Sequence, residues 1–229
     1  MTVVLFDLDN TLLAGDSDYA WGQFLIKVGA VDGPSYEQAN RRFYEDYRAG
    51  TLDIAAFLVF ALRPLHELPR AQLLAWRAEF LEESIRPLIK PWVFPLLASY
   101  REAGATLALV TATNSFVTAP IAEMLGITHL LATMPEERQG AFTGRPEGIP
   151  CFREGKVHRV KAWMTASDYA WEGSSFYSDS HNDLPLLETV TYPIAVDPDP
   201  QLRAIAEERG WEILLSSSPA AHASTKNAK

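Results

Sequence analysis

The sequence predicts an α/β fold, a doubly wound parallel sheet with a helical cap inserted after its first strand. Two patterns lead to this expectation. Short apolar, β-branched segments alternate with amphipathic helical segments along most of the 229 residues, which is typical of strands that helices bury on both faces. One long interval, between Leu13 and Pro87, contains only helical patterns. We therefore expect an α/β core that is interrupted by a helical unit.

Six segments have the composition of buried strands, and the first of them is VVLF. The strand candidates lie at residues 3–6, 106–110, 129–133, 174–178, 192–196 and 211–215. Amphipathic segments lie between most of these strands, at residues 91–103, 115–125, 156–166, 182–189 and 198–209. Strands that alternate with helices in this way favour a parallel sheet.

Four helical segments fill the interval after the first strand. They are DSDYAWGQFLIKVG, SYEQANRRFYEDYRAG, TLDIAAFLVFALR and PRAQLLAWRAEFLEES. Gly29 and Gly50 end the first two segments. Thr51 is a candidate N-cap of the third segment, which is expected to stop before Pro64. Pro69 is expected at the first helical position of the fourth.

These patterns set the predicted domain boundaries. We expect the core to comprise residues 1–14 and 86–215, and the helical-bundle cap to comprise residues 15–85. Residues 136–156 contain four glycines and two prolines, which predicts a β-hairpin or flap beside the sheet. The tail at residues 216–229 is small and polar and is predicted to be disordered.

Composition excludes several classes of protein. A net charge of −9 argues against nucleic-acid binding, because the nucleic-acid backbone favours lysine and arginine. The single cysteine, Cys151, permits no intrachain disulfide and is expected to be a small core residue. The sequence shows neither a basic leader nor an apolar run of the ~20 residues that span a membrane. We expect a cytoplasmic protein without a membrane partner, while the oligomeric state is not indicated.

Acidic and hydroxyl side chains follow three of the predicted strands. VVLF runs into Asp7 and Asp9, and LALV runs into Thr111. SFYS runs into Asp179, which Asp183 follows. The carboxyl ends of parallel strands meet at one edge of a sheet, where ligands bind. Acids this close together require a cation, and oxygen ligands without histidine or cysteine favour Mg²⁺.

These motifs resemble those of the haloacid dehalogenase superfamily, in the branch that includes phosphoserine phosphatase. The first superfamily motif, D-x-D-x-T, matches DLDNT at residues 7–11. The second matches Thr111 at the end of an apolar strand, and the third matches the lysine of REGKVHRV, Lys156. The fourth, D-x-x-N-D in this branch, matches DSHND at residues 179–183. All four occur in the family's order.

The lysine of the third motif has a competitor, Lys161. Lys156 directly follows Glu-Gly at an expected helix N-terminus, where a lysine and the helix end both favour a phosphate. Its interval of 23 residues to Asp179, from 156 to 179, also resembles the spacing in this branch. We therefore assign the motif to Lys156 and expect Lys161 to be solvated.

The resemblance implies a phosphatase mechanism with one role for each motif residue. Asp7 would attack phosphorus and form an aspartyl-phosphate. Asp9 would protonate the leaving alkoxide and then take a proton from water. Dehalogenases of the superfamily lack this second acid, so Asp9 favours phosphoryl transfer. Thr11 is expected only to fix the loop that aims Asp9.

The same resemblance implies a metal site and a phosphate site. Mg²⁺ would be bound by the carboxylates of Asp7 and Asp179 and by the main-chain carbonyl of Asp9. Asp183 would support the metal indirectly, through contacts with these ligands. The residues expected to bind or orient the phosphate are Thr111, Lys156 and Asn182.

The substrate is expected to be a small phosphate monoester, and an acid just after the first motif bears on its identity. In phosphoserine phosphatase-like enzymes an acid at the position of Asp16 pairs with the substrate's ammonium group. Asp16 could equally cap the first cap helix. An ammonium site would favour histidinol phosphate or phosphoserine, and the aromatic residues Tyr19, Trp21 and Phe24 favour the former. Phosphoserine would also need a cation for its carboxylate, and four arginines are candidates, namely Arg41, Arg42, Arg63 and Arg86.

Three alternative functions share parts of this pattern. A phosphotransferase or mutase would use the same aspartyl-phosphate. A response-regulator receiver also phosphorylates an aspartate, but the helical insertion and the second acid of DLDNT argue against such a switch. A catalytically silent binding module is the third alternative, although every chemically required residue is present. His181 lies inside the fourth motif and is expected to be outside the catalytic set.

Overall fold

The computed structural model describes residues 2–216 of the chain, and a seven-stranded sheet forms its centre. The strands are β1 Val3–Phe6, β2 Thr106–Asn114, β3 His129–Arg138, β4 Ala141–Glu147, β5 Ser175–Ser178, β6 Tyr192–Val196 and β7 Glu212–Leu214. Their order across the sheet is β4-β3-β2-β1-β5-β6-β7. Every neighbouring pair is parallel except β3 and β4. The predicted doubly wound parallel sheet is therefore confirmed.

Two strands run further than the sequence predicts. The register between β2 and β3 shifts between Thr111 and Asn114, and after Thr133 β3 leaves β2 and pairs with β4 as an antiparallel hairpin. Gln139 and Gly140 form the two-residue turn, with φ of 52° and 81°. Two successive positive φ values match the right-handed twist of a hairpin. The glycine-rich segment is therefore a hairpin, as predicted, but it continues a strand of the main sheet.

The helices follow the predicted order with changed boundaries. Between β1 and β2 lie α1 Ser17–Lys27, α2 Gly33–Ala49, α3 Ile54–Glu67, α4 Arg70–Phe80, a π-helical turn at Leu81–Ile85, a 3₁₀ turn at Arg86–Leu88 and α5 Val93–Glu102. The later helices are α6 Ser115–Met124, α7 Glu154–Ala166, α8 Leu184–Leu187 and α9 Pro200–Arg209. The helix expected at residues 182–189 is a 3₁₀ turn, His181–Asp183, followed by the short α8.

Three details of the helices between β1 and β2 differ from expectation. Asp53 caps α3 instead of Thr51, because its carboxylate accepts the N–H groups of Ala55 and Ala56. The same helix continues through Pro64 to Glu67. A proline in a last turn removes a single hydrogen bond, and this ring is buried. Pro69 precedes the first helical residue of α4.

The sheet separates two hydrophobic clusters. Side chains alternate along β1, so that Val4 and Phe6 face one cluster and Val3 and Leu5 face the other. The first cluster lies against α5 and α6 and continues into the other helices between β1 and β2. Trp21 of α1 is one of its members. The second lies against α7, α8 and α9. Helices therefore bury both faces of β1 and hold its carboxyl end in place.

The two chain segments that join the inserted helices to the sheet lie side by side. Leu13 and Ile89 form an antiparallel bridge. Ala14 donates its N–H to the carbonyl of Leu88 at 2.7 Å on one side of that bridge. These contacts lie near the predicted boundaries at residues 14 and 86, and the division into core and cap stays a prediction.

Two observations concern the remaining parts of the chain. Among residues 2–216, no helix has both the length and the apolar composition needed to cross a membrane. Ser216, the first residue of the predicted disordered tail, donates its N–H to Asp197 at 2.8 Å and accepts the indole N–H of Trp92 at 3.0 Å. The rest of that tail lies outside the described residues.

Candidate active site

Three neighbouring strands deliver the predicted site residues to one edge of the sheet. β1 lies between β2 and β5, and their carboxyl ends lead to Asp7, Thr111 and Asp179 respectively. Asp7 and Thr111 are buried, with 3% and 0% of their surface exposed. The sheet topology therefore brings together residues that are more than 160 positions apart in sequence, as the motif order predicts.

Lys156 joins the first and fourth motifs. Its ammonium nitrogen lies 2.7 Å from Oδ1 of Asp7 and 2.8 Å from Oδ2 of Asp183. Burial alone would lower the pKa of Lys156, but the two carboxylates raise it above its ordinary value, so the lysine stays charged. Lys161 is exposed on the same helix. The structure thus places Lys156, and not Lys161, among the acids.

Thr11 links the two predicted metal ligands. Its hydroxyl lies 3.2 Å from Oδ2 of Asp7 and 3.0 Å from Oδ1 of Asp179, and it accepts the N–H of Asp179 at 3.0 Å. Burial, together with the charge of Asp7, raises the pKa of Asp179 well above its ordinary value. Asp7 is buried and Asp179 is half-buried. Two acids held this close by one hydroxyl carry repelling charges, and a cation between them would relieve that repulsion.

The donor set fits a hard cation with few protein ligands. Among residues 2–216, no group of three or more His, Cys, Asp and Glu side chains is arranged to hold a metal ion. The predicted ligands are two carboxylates, those of Asp7 and Asp179, and one main-chain carbonyl, that of Asp9. Mg²⁺ is commonly bound through one or two carboxylates while it keeps several waters. Asp183 is hydrogen-bonded to Lys156 and, at 2.7 Å, to Ser178.

The carboxylate of Asp9 is held on both sides. Oδ1 accepts the main-chain N–H of Ser17 at 2.6 Å, and Oδ2 accepts the hydroxyl of Thr113 at 2.8 Å. Asn10 turns the chain directly after Asp9 with a φ of 56°, a conformation that asparagine tolerates. Burial, together with the charge of Asp16, raises the pKa of Asp9 to about 7. Such a group can both give and take a proton near neutral pH.

Several contacts in the site involve residues that the sequence analysis missed. Thr113 lies two residues beyond Thr111 on β2, so strand alternation could have identified it. Arg153 offers no such signal. Its guanidinium bonds Oδ1 of Asn182 at 2.9 Å and the carbonyl of Gly50 at 2.6 Å. Asn182 in turn donates to the carbonyl of Tyr47 at 3.0 Å, so the end of α2 is tied to the fourth motif.

A cavity extends from Asp7 and Asp9 between the sheet edge and the inserted helices. It holds about 540 Å³ of space free of protein atoms, a figure that includes the part open to solvent. Two further acids line it, Asp16 and Asp18. Its aromatic residues are Tyr19, Phe43, Tyr44, Tyr47 and Phe57. No lysine or arginine is among the described residues that line this cavity.

The candidate substrate residues fall into two groups. Asp16 lines the cavity and also caps α1, because Oδ1 accepts the N–H of Tyr19 at 2.8 Å. Trp21 and Phe24, expected beside the substrate, are instead buried in the first hydrophobic cluster. His181 lies outside this cavity, and its Nδ1 is 2.7 Å from Oδ2 of Asp199.

Most of the chain matches one known protein family. The family model of the haloacid dehalogenase-like hydrolases matches residues 4–188. The chain belongs to this family. The matched segment contains every motif residue of the site, and phosphatases of the haloacid dehalogenase-like family are generally Mg²⁺-dependent.

Relatives within the family include proteins named as phosphatases. A histidinol-phosphatase of Neisseria meningitidis is 42% identical over 216 residues, which cover 93% of this chain and 97% of that protein. A phosphoserine phosphatase of Mycobacterium tuberculosis is 35% identical over 213 residues, which cover 91% of this chain and 68% of that protein. The predicted enzyme class, a phosphatase of the haloacid dehalogenase-like family, is confirmed.

Solved structures show the same fold. A Bordetella pertussis protein of unknown function superposes with a TM-score of 0.87 at 47% identity, covering 93% of this chain and 97% of that one. A phosphoserine phosphatase solved as a phospho-aspartyl intermediate analogue superposes with a TM-score of 0.69 at 18% identity, covering 94% of this chain and 93% of that one. The latter likeness concerns the fold alone.

Proposed function

We propose that this phosphatase uses Mg²⁺ and an aspartyl-phosphate on Asp7 to hydrolyse an amine-bearing phosphate monoester, with histidinol phosphate favoured over phosphoserine. The observation that carries the substrate choice is the charge of the cavity. Acids line it beside aromatic rings, and no cation does so among its described residues. A cationic, carboxylate-free substrate suits these walls.

The proposed chemistry has two half-reactions. In the first, a carboxylate oxygen of Asp7 forms a bond to phosphorus while the ester P–O bond breaks, and Asp9 gives its proton to the leaving alkoxide. In the second, Asp9 takes a proton from water as the water oxygen attacks phosphorus and the bond to Asp7 breaks. The hydrogen bonds from Ser17 and Thr113 hold Asp9 in position for both proton transfers.

Other groups of the site hold the phosphate and the metal. The ammonium group of Lys156, already 2.7 Å from Asp7, would contact the phosphoryl oxygens together with the hydroxyl of Thr111. Asp7, Asp179 and the carbonyl of Asp9 would hold Mg²⁺. When bound, this ion offsets the repulsion between the nucleophile and the phosphate.

The four candidate arginines are paired with acids, which disfavours phosphoserine as the substrate. Phosphoserine carries a carboxylate that would lie among acids in this cavity. The four arginines considered above are exposed and each approaches an acid four residues away within its own segment: Arg41 with Glu37, Arg42 with Asp46, Arg63 with Glu67 and Arg86 with Glu82. None of the four lines the cavity. The 42% identical relative named histidinol-phosphatase supports the same choice.

A substrate comparison tests this proposal. Inorganic phosphate release is measured for histidinol phosphate, phosphoserine and a neutral alkyl phosphate, each with Mg²⁺ and with excess EDTA. We expect the highest kcat/KM for histidinol phosphate, and loss of turnover in EDTA. A higher kcat/KM for phosphoserine would refute the substrate choice. Undiminished turnover in EDTA would refute the metal, and transfer to added glycerol in place of release would refute hydrolysis.

A further inference from the structure

Asp18 is an acid in the cavity for which the protein supplies no partner. It lies in the first turn of α1 and lines the cavity. Across residues 2–216, no hydrogen-bond donor or basic side chain contacts its carboxylate. The neighbouring acids differ in this respect, because Asp9 and Asp16 each accept main-chain N–H groups.

An unpartnered acid at this place is costly. Asp18 is half-buried, and even partial withdrawal of a carboxylate from water without a compensating hydrogen bond is unfavourable. Burial, with the charges of Asp16 and Asp9, raises the pKa of Asp18 well above its ordinary value. A positively charged ligand group would offset each of these penalties.

A structural role at the helix end does not account for this placement. An acid in the first turn of a helix is stabilised by the helix dipole, but an exposed acid gains the same benefit. Asp53 begins α3 in that way, exposed to solvent and bonded to two N–H groups. Asp18 instead faces the space that a substrate would enter.

The two acids of the cavity differ in how the protein holds them. Asp16 caps α1, and its Oδ1 accepts the N–H of Tyr19 at 2.8 Å. Asp18 lies two residues further along, in the first turn of α1, and has no such partner among residues 2–216.

Aromatic rings from those helices complete the surroundings. Phe43 and Tyr44 of α2 and Phe57 of α3 line the same cavity. Aromatic faces attract cations and stack on flat rings. The side of the cavity that these helices form is thus suited to a planar group that carries N–H donors or positive charge.

We propose that Asp18 is a specificity-determining residue that binds a second nitrogen-bearing group of the substrate, distinct from the ammonium group for which Asp16 is the candidate. In histidinol phosphate this group is the imidazole ring, whose N–H donates to the carboxylate between the aromatic walls. The assignment rests on the proposed function and extends it, because it divides recognition of one substrate between two acids.

Paired substrates and variants test the division. Phenylalaninol phosphate keeps the ammonium group and the flat ring but lacks the ring nitrogens. Imidazolylpropyl phosphate keeps the imidazole but lacks the ammonium group. Both are compared with histidinol phosphate in wild type, Asp18→Asn and Asp16→Asn. Asp32→Asn is the control, because it removes an exposed acid at the start of α2 that does not line the cavity.

We expect that Asp18→Asn alone loses the preference for the imidazole ring of histidinol phosphate over the phenyl ring of phenylalaninol phosphate. Because hydrogen bonds to charged groups contribute about 1.5–3 kcal/mol, KM for histidinol phosphate should rise about 10- to 100-fold with kcat nearly unchanged. KM for phenylalaninol phosphate should change little, and Asp32→Asn should behave as wild type. Equal KM increases for both substrates, or an unchanged preference for the imidazole, would overturn the role of Asp18. If wild type itself fails to hydrolyse histidinol phosphate, the proposed function falls, and this assignment falls with it.

Discussion

Replacement of Lys156 offers a quantitative test of how the site is held together. Its ammonium group lies within 2.8 Å of two carboxylates, Asp7 and Asp183, and the three side chains are 2%, 4% and 1% exposed. Lys156→Gln would leave two buried acids without their shared cation. Removing one partner of a buried ion pair costs about 3–5 kcal/mol. We expect a loss of this size in the free energy of unfolding.

The expected loss converts to a large shift in Tm. A change of 1 kcal/mol shifts Tm by roughly 2–4 °C in a domain of 150–250 residues, and this chain has 229. Lys156→Gln should therefore lower Tm by about 6–20 °C. Thermal and urea unfolding in EDTA would measure the loss without a bound cation that could replace the lysine charge at Asp7.

The matched control lies on the same helix. Lys161 is exposed and makes no ion pair within the described chain, so Lys161→Gln should change stability by less than about 0.5 kcal/mol. Equal stability of Lys156→Gln and wild type would refute the argument. An equal loss of stability in both lysine variants would also refute it, because the loss would then not depend on the buried ion pairs of Lys156.

Two further predictions follow from contacts around the site. Cys151 is fully buried, and burial raises the pKa of its thiol to about 12. Iodoacetamide at pH 8 should therefore label this thiol only in denatured protein. Labelling of the native protein would contradict its burial. Arg153→Gln should reduce kcat/KM about 10- to 100-fold, since its charged hydrogen bonds to Asn182 and Gly50 contribute about 1.5–3 kcal/mol. Wild-type kcat/KM in Arg153→Gln would show that this connection between α2 and the fourth motif is dispensable.

Sequence reasoning succeeded where the relevant signal is local. Asp7 and Asp9 follow an apolar strand directly, and Asp179 follows another, so strand composition and a short motif place all three at one sheet edge. The family, the parallel sheet and the convergence of the motifs could all be predicted in this way. Lys156 was separable from Lys161 because only one of them begins a helix.

The remaining features depend on contacts that sequence spacing does not encode. The continuation of β3 into the hairpin depends on the bulge that follows Thr111. The continuation of α3 through Pro64 depends on burial of the proline ring. Trp21 and Phe24 point into the hydrophobic cluster because of the way α1 packs, and a list of nearby aromatic residues cannot reveal which face is buried. The lack of a partner for Asp18 among residues 2–216 likewise depends on packing that sequence spacing does not encode.

Trapping the covalent intermediate tests the nucleophilic role of Asp7. Protein turning over substrate with Mg²⁺ would be quenched, reduced with borohydride and mapped by mass spectrometry. We expect modification at Asp7 in wild type, slower modification at the same residue in Asp9→Asn, and none in Asp7→Asn, which should be folded and inactive. Modification at any other residue, or wild-type turnover by Asp7→Asn, would contradict it.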